Sequence, residues 1–295
     1  MHQIGDEIYT HSVEKPSDSN DEDLPKNIVR IKASRLRMDK GFEVETFRDL
    51  VRCVAELGYL NPQFNILFRG QDIDYRNKKY GSIIYPSIFR TGEKLQEVRF
   101  NQLDENYKKL KRNSKIISLK KQNISSRVSI LSYPEFYYAL LQHYEKNKTP
   151  LIDLTQSLRV AATFALRESE ESDTSGYVFV FGMPYPHGSI SHFIDQDMVL
   201  VKLQNVCPPN ALRPHYQEGY LAGNFPFNSN LRAGDNLARR LIGKYKLINF
   251  DGSFWDREFK PIPEEVLFPE DDPFHEKLNK ILDKEHIGKN QRNIR

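Results

Sequence analysis

Four short stretches place polar side chains inside apolar surroundings, and each could do chemistry. The first is NILFRGQ, where Ile66-Leu67-Phe68 runs directly into Arg69, Gly70 and Gln71. The second is Gln142-His143-Tyr144, at the end of the aromatic run PEFYYALLQHYE. The third runs from Leu151 to Ser157 and carries Asp153, Thr155 and Ser157. The fourth, Arg213 to Tyr220, carries Arg213, Gln217 and Glu218. A buried polar group without a partner costs roughly 1–3 kcal/mol, so such groups must pair with one another or with a ligand. A guanidinium matches a carboxylate or a phosphate equally well. Arg69 is therefore read in two ways: as the partner of Asp153 in a pair that only holds the fold, or as a binding group aimed into a pocket. His143 on an aromatic helix is more often a satisfied core histidine than a catalyst. Thr155 and Ser157 stand between a strand end and a helix start, where free N–H groups hold phosphates or carboxylates. Plain capping needs only one hydroxyl, which leaves one spare.

The elements that must position these groups are legible in outline. Thr46 reads as an N-cap, followed at helical spacing by Phe47, Leu50, Val51, Val54 and Leu57, with Gly58 as the stop. Residues 65–68 read as a strand that ends in an Arg69-Gly70 turn. Residues 93–121 read as a charged helix; its basic end (Lys108, Lys109, Lys111, Arg112, Lys115, Lys120, Lys121) reads as a solvated face rather than a nucleic-acid patch. Pro134 opens a helix that is apolar on nearly all faces and therefore buried. Leu151–Leu154 is a short extended piece, and the small residues Ala161, Ala162 and Ala165 give the following helix a close-packing stripe. Residues 177–181, 199–203 and 245–250 read as strands, and 210–225 as turns with aromatics. Leu237–Ile242, Glu264–Val266 and Phe274–Leu282 read as helices. Helices outnumber scattered strands, which predicts an α+β fold: one mixed domain with a small central sheet flanked by helices.

Composition sets limits on partners. A net charge of +3 on 295 residues creates no strong field for nucleic acid or membrane surfaces. Cys53 and Cys207 make no disulfide or metal-ligand pattern and fit a reducing cytoplasm, and no metal site is expected. No run reaches the roughly 18 apolar residues of a membrane span, and no signal-like leader shows. Residues 1–27 are polar and aperiodic and read as a mobile arm, 28–283 as the folded domain, and 284–295 as a basic, frayed tail.

Taken in order, the motifs resemble the FRG domain, a bacterial and phage family named for its Phe-Arg-Gly tripeptide. Phe68-Arg69-Gly70 is that tripeptide, and Tyr85-Pro86-Ser87-Ile88-Phe89-Arg90 is similar to the family's next segment. QHYEKNKTPLIDLTQSLRVAATFA, residues 142–165, resembles the Gln-His-Tyr to Leu-Leu-Asp-x-Thr segment and its Ala-rich helix. Arg213-Pro214 with Gln217, Gly219 and Tyr220 matches a late Arg-Pro-x-x-Gln-x-Gly-aromatic motif, and Leu267-Phe268-Pro269 matches the family's C-terminal end. The resemblance spans residues 46–275. Two residues depart from it: Glu145 stands where the family usually has glycine, and Pro150 where it usually has arginine.

The layout is also similar, more weakly, to that of ADP-ribosyltransferases: an early strand-ending Arg, a hydroxyl segment, and a late Gln-x-Glu-type motif. That resemblance implies an NAD-dependent ADP-ribosyltransferase-like enzyme, with NAD as the substrate and a protein or nucleic acid as the acceptor. Arg69, Gly70, Gln71, Thr155, Ser157 and Arg213 would bind NAD or another phosphate-bearing ligand. His143, Asp153, Gln217 and Glu218 would be the catalytic candidates. The family's genomic setting implies a toxin or antiphage role. The alternative is a nucleotide- or nucleic-acid-binding module without turnover, and a purely structural use of the motifs is a third reading. A single site requires Arg69, His143, Asp153, Thr155 and Gln217 to converge on one cleft, and the single-site reading fails if they lie on separate surfaces.

Overall fold

A computed structural model describes residues 1–12, 24–25, 27–79, 81–113, 130–167, 173–250 and 252–292. Lys115, Lys120 and Lys121 of the expected basic stretch lie outside these residues. The strands are β1 (Glu7–His11), β2 (Ile28–Lys32), β3 (Phe42–Val44), β4 (Asn65–Gln71) and β5 (Leu151–Thr155), then β6 (Asp173–Met183), β7 (Ile190–Phe193), β8 (Met198–Lys202), β9 (Gly219–Asn224) and β10 (Leu241–Phe250). The helices that matter below are α1 (Phe47–Leu60), α2 (Glu93–Arg112), α3 (Pro134–His143), α4 (Leu158–Ala165), α5 (Leu212–Tyr216), α6 (Glu264–Leu267) and α7 (Pro273–Arg292). Helices and a large mixed sheet share one α+β fold. Among the described residues no helix is long and apolar enough to cross a membrane.

The sheet is larger than the expected small one. Eight strands run in the order β3-β10-β6-β4-β5-β9-β8-β7, and β1-β2 form a separate hairpin-like pair. Only β3 pairs in parallel; the other contacts of the large sheet are antiparallel. The sheet divides two apolar cores, because successive strand residues face opposite ways. On β9, Tyr220 and Ala222 enter one core and Leu221 the other; on β8, Met198 and Leu200 part company with Val199 and Val201 in the same manner. The first core is covered by α1 and α4, the second by α2, α3 and α7.

Several boundaries moved for identifiable reasons. Thr46 does cap α1, accepting from the Asp49 N–H, and the helix buries Phe47, Leu50, Cys53 and Leu57. It continues past Gly58, which instead leaves room for Ile66: a Cβ there would lie 3.3 Å from Ile66 Cδ1. The strand expected to stop at Phe68 continues through Arg69 and Gly70 to Gln71. Gly70 is therefore not a turn residue. A Cβ at Gly70 would fall 1.8 Å from the Ala161 carbonyl oxygen and 2.7 Å from the Ala165 nitrogen, so α4 lies directly against β4. Gly176 on β6 serves the same helix, with a Cβ position 2.0 Å from the Ala165 oxygen. Two glycines below and a stripe of alanines above let helix and sheet backbones touch.

In the large sheet, β3, β7 and β9 were not expected from the sequence. The stretch 210–225, read as turns, contains β9 at the centre of the sheet, and the expected helix 237–242 is a single 3-10 turn that leads into β10. At the N-terminus, part of the segment read as a mobile arm is ordered. β1 pairs with β2, Ile8 is buried, and His11 bridges the Tyr245 hydroxyl and the Glu56 carboxylate at 3.0 Å each. At the other end, α7 carries on through the start of the expected tail as far as Arg292. Cys53 and Cys207 are both buried and free.

Candidate functional site

β4, β5 and β9 are neighbours in the sheet, and each brings one polar motif to the same place. β4 and β5 pair at one position only, Phe68 with Thr155. Arg69 spans the interval beside that pairing: its Nη1 donates to the Asp153 main-chain oxygen at 2.7 Å. Its Nε donates to Gln71 Oε1 at 3.2 Å, so Gln71 orients the guanidinium from the same strand. The pair of Arg69 with the Asp153 carboxylate, considered from sequence, is not how these residues meet.

The Asp153 carboxylate faces α3 instead, because residues 151, 153 and 155 share one face of β5. His143 Nδ1 donates to Asp153 Oδ1 at 3.1 Å and Gln142 Nε2 to Asp153 Oδ2 at 2.8 Å. Gln142 is in turn fixed by the Thr149 hydroxyl, 2.8 Å from its Oε1. Burial alone would raise the Asp153 pKa, but the His143 hydrogen bond and charge, the Gln142 amide and the nearby Arg69 outweigh it and hold the acid below its ordinary range. The Arg69 guanidinium is pushed down to about 10, by burial first and by Arg90 second, with Asp153 opposing; it stays cationic at neutral pH. The Asp153 side chain is 37% exposed while His143 is 3% exposed, so the carboxylate sees solvent and the imidazole does not. His143 Nε2 is buried without a hydrogen-bond partner.

These groups line a cavity of about 240 Å³. Its walls include Arg69, Gly70, His143, Asp153, Thr155, Arg213 and Gln217, together with Phe68, Phe164, Glu145, Arg167 and Phe268. The five residues whose convergence was the test therefore share one cleft. The volume lies just below the ~300–1,000 Å³ of typical ligand pockets. It suits a phosphate with a sugar or a single ring, with the rest of a larger ligand in the open mouth.

Four predicted site residues lie elsewhere or are already engaged. Ser157 is the N-cap of α4, accepting from the Val160 N–H at 3.4 Å. Thr155 lines the cavity, but its hydroxyl donates to the Gln217 carbonyl at 2.7 Å and accepts from the Ser157 N–H at 2.9 Å. No spare hydroxyl is left at this helix start. Glu218 does not line the cavity; its carboxylate accepts from Gln156 Nε2 at 3.0 Å, and its backbone sits at φ 46°. Gln217 does line it, but its amide donates to the Leu267 carbonyl at 2.7 Å. Pro150 is buried ahead of β5 and is not among the cavity walls.

The mouth joins Arg213, singled out from the sequence, to Arg167 and Phe268, which the sequence did not assign to the site. The Arg213 guanidinium lies 4.5 Å from the centre of the Phe268 ring, and Arg167 lies 4.7 Å from the same ring. Both are cation–π distances. Asp272, buried just before α7, accepts from the Arg213 N–H at 3.0 Å and from the Tyr144 hydroxyl at 2.9 Å, tying α5 to the end of α3. The LFP tripeptide thus has a role: Leu267 anchors Gln217 and Phe268 carries the arginines. The only prior signal for Asp272 was its place as an acidic residue before a helix. Among the described residues, no cluster of three or more His, Cys, Asp or Glu could hold a metal.

Residues 64–174 match the family model described as the FRG domain, and the chain carries an FRG domain there. That stretch supplies Arg69, Gly70, Gln71, His143, Asp153 and Thr155. Arg213, Gln217 and Phe268 complete the cavity from beyond it. No curated protein and no solved structure matches the chain.

Proposed function

We propose that this FRG-domain protein binds a phosphate-bearing nucleotide in the Arg69 cavity, and that the nucleotide is NAD, whose ADP-ribosyl group it transfers to an acceptor. The observation that carries the reading is Arg69: a buried guanidinium, held by Gln71 and the Asp153 main chain, in the wall of a cavity beside a partly exposed carboxylate. A fixed arginine of this kind binds phosphate without first losing side-chain freedom. In the transfer, the ribose–nicotinamide bond breaks, nicotinamide leaves with the bonding pair, the acceptor bonds to the ribose carbon and its proton passes to solvent. The partly exposed Asp153 carboxylate, kept ionised and oriented by His143 and Gln142, is the group suited to stabilise the oxocarbenium-like cation. The adjacency of β4, β5 and β9, each carrying one of the three motifs, supports a single site. Such an activity on a protein or nucleic acid would suit a toxin or antiphage effector.

A second reading is a binding module without turnover. It is favoured by one observation: both Asp153 oxygens already accept protein hydrogen bonds, and Glu218, the late acid, faces Gln156 outside the cavity. One experiment separates the two. Purified protein is incubated with labelled NAD and cell extract, and nicotinamide release and label transfer are followed beside an Arg69→Ala control. Turnover lost in Arg69→Ala supports the transferase. A thermal shift with ADP-ribose but no turnover supports the binding module. Neither turnover nor a shift refutes both.

A further inference from the structure

Glu145 is the residue that the cavity least explains. It follows α3 with its backbone at φ 56°, a left-handed conformation that favours glycine, yet it carries a long acidic side chain. That side chain is 71% exposed and, among the described residues, makes one polar contact, to Arg213 Nη2 at 2.5 Å. Arg213 is its opposite in every respect. It is 14% exposed, its ring contact is with Phe268, its main chain is held by Asp272, and its buried Nε has no hydrogen-bond partner among the described residues. A fixed cation at the mouth is therefore covered by a loosely held anion.

We propose that Glu145 is a tethered competitor: its carboxylate occupies the Arg213 position that a second anionic group of the ligand takes on binding, so the pocket selects ligands with two linked anionic groups, such as a dinucleotide or a nucleoside diphosphate. This rests on the nucleotide reading of the same cavity. The chemistry follows from charge. The cavity walls carry Arg69, Arg167 and Arg213 against Asp153 and Glu145. Asp153 is committed to His143 and Gln142 and cannot move aside. Glu145, exposed and held by one ion pair, swings into solvent at little cost, because exposed pairs are weak. A ligand anion on Arg213 regains what the displaced carboxylate gives up. A ligand whose only anionic group sits on Arg69 leaves Glu145 in place.

The test is calorimetric titration with ADP-ribose and with ribose 5-phosphate, using the parent protein, Glu145→Gln, Glu145→Gly and Arg69→Ala. Glu145→Gln keeps the side-chain length and removes the charge, while Glu145→Gly also relieves the backbone. Both variants are expected to bind ADP-ribose more tightly by roughly fivefold, the affinity equivalent of one exposed ion pair. Ribose 5-phosphate affinity should change by less than about twofold. Equal or weaker ADP-ribose binding by Glu145→Gln, with Arg69→Ala binding abolished, overturns the competitor while the nucleotide site stands. A gain confined to Glu145→Gly assigns the effect to backbone strain and also overturns it. Equal gains for both ligands remove the two-anion selection. Absence of ADP-ribose binding in the parent and in both Glu145 variants overturns the nucleotide site itself.

Discussion

Replacing Gly70 by alanine tests the packing that sets the whole site. An added Cβ would sit 1.8 Å from the Ala161 carbonyl oxygen and 2.7 Å from the Ala165 nitrogen. Both atoms belong to the α4 backbone, so no rotamer change relieves the clash. To regain ordinary contact, α4 must back away from β4 by roughly 1.5 Å, which opens a close-packed interface. Overpacking costs typically ~1–3 kcal/mol, and a backbone clash belongs at the upper end, about 3 kcal/mol. With a urea dependence of about 3 kcal/mol per molar, the unfolding midpoint should fall by roughly 1 M. Circular dichroism across a urea series measures it. Gly92→Ala is the control: a Cβ there meets nothing within 4 Å and the backbone lies at φ −72°. Gly92 is the N-cap of α2, where glycine is favoured over alanine, so its midpoint should fall by no more than about 0.3 M. If Gly70→Ala and Gly92→Ala unfold at the same urea concentration, the close contact of α4 with β4 at Gly70 is refuted.

Two further outcomes follow from buried charges. Lys244 is buried among the Asp39 carbonyl, the Ser82 hydroxyl and the Asp74 carboxylate, and its pKa is pushed down to about 8, chiefly by burial. The unfolded chain therefore binds more protons between pH 8 and the ordinary lysine value of about 10.4, so this residue makes stability rise with pH across that window. The stability of Lys244→Met, measured by urea midpoints from pH 7.5 to 10.5, should rise less steeply than the parent's; parallel curves would show that Lys244 titrates normally. Asp153 has the opposite sign. Its depressed folded pKa contributes stability that is present above the unfolded value near 3.9 and is lost as pH falls through the folded one. In thermal melts between pH 6 and pH 2.5, Asp153→Asn should lose less stability on acidification than the parent; equal losses would mean that His143, Gln142 and Arg69 do not hold this carboxylate.

Helix starts and buried strands were readable from local chemistry. Thr46 capping α1, Pro134 opening α3 and the β-branched and aromatic run in β6 follow from rules that act within a few residues. The membership of the cavity was readable too, because polar residues inside apolar runs must be brought to partners. β9 was not: GYLAGN is rich in small residues and became a central strand only because β5 and β8 flank it. β-propensity is weak where both neighbours are strands already in place.

The residue types at the site, the order of its motifs and the α+β class were determined by the sequence alone, since the apolar residues around Arg69, His143 and Asp153 imply that these polar groups are brought to partners. Tertiary structure decided which group meets which. It turned the Asp153 carboxylate to His143 and Gln142, left its carbonyl to Arg69, sent Glu218 out of the cavity and set Glu145 on Arg213. It also gave Gly70 its purpose, which is not to bend the chain but to let a helix touch a strand. Those choices depend on sub-ångström to few-ångström distances between segments far apart in sequence, and no local pattern encodes them.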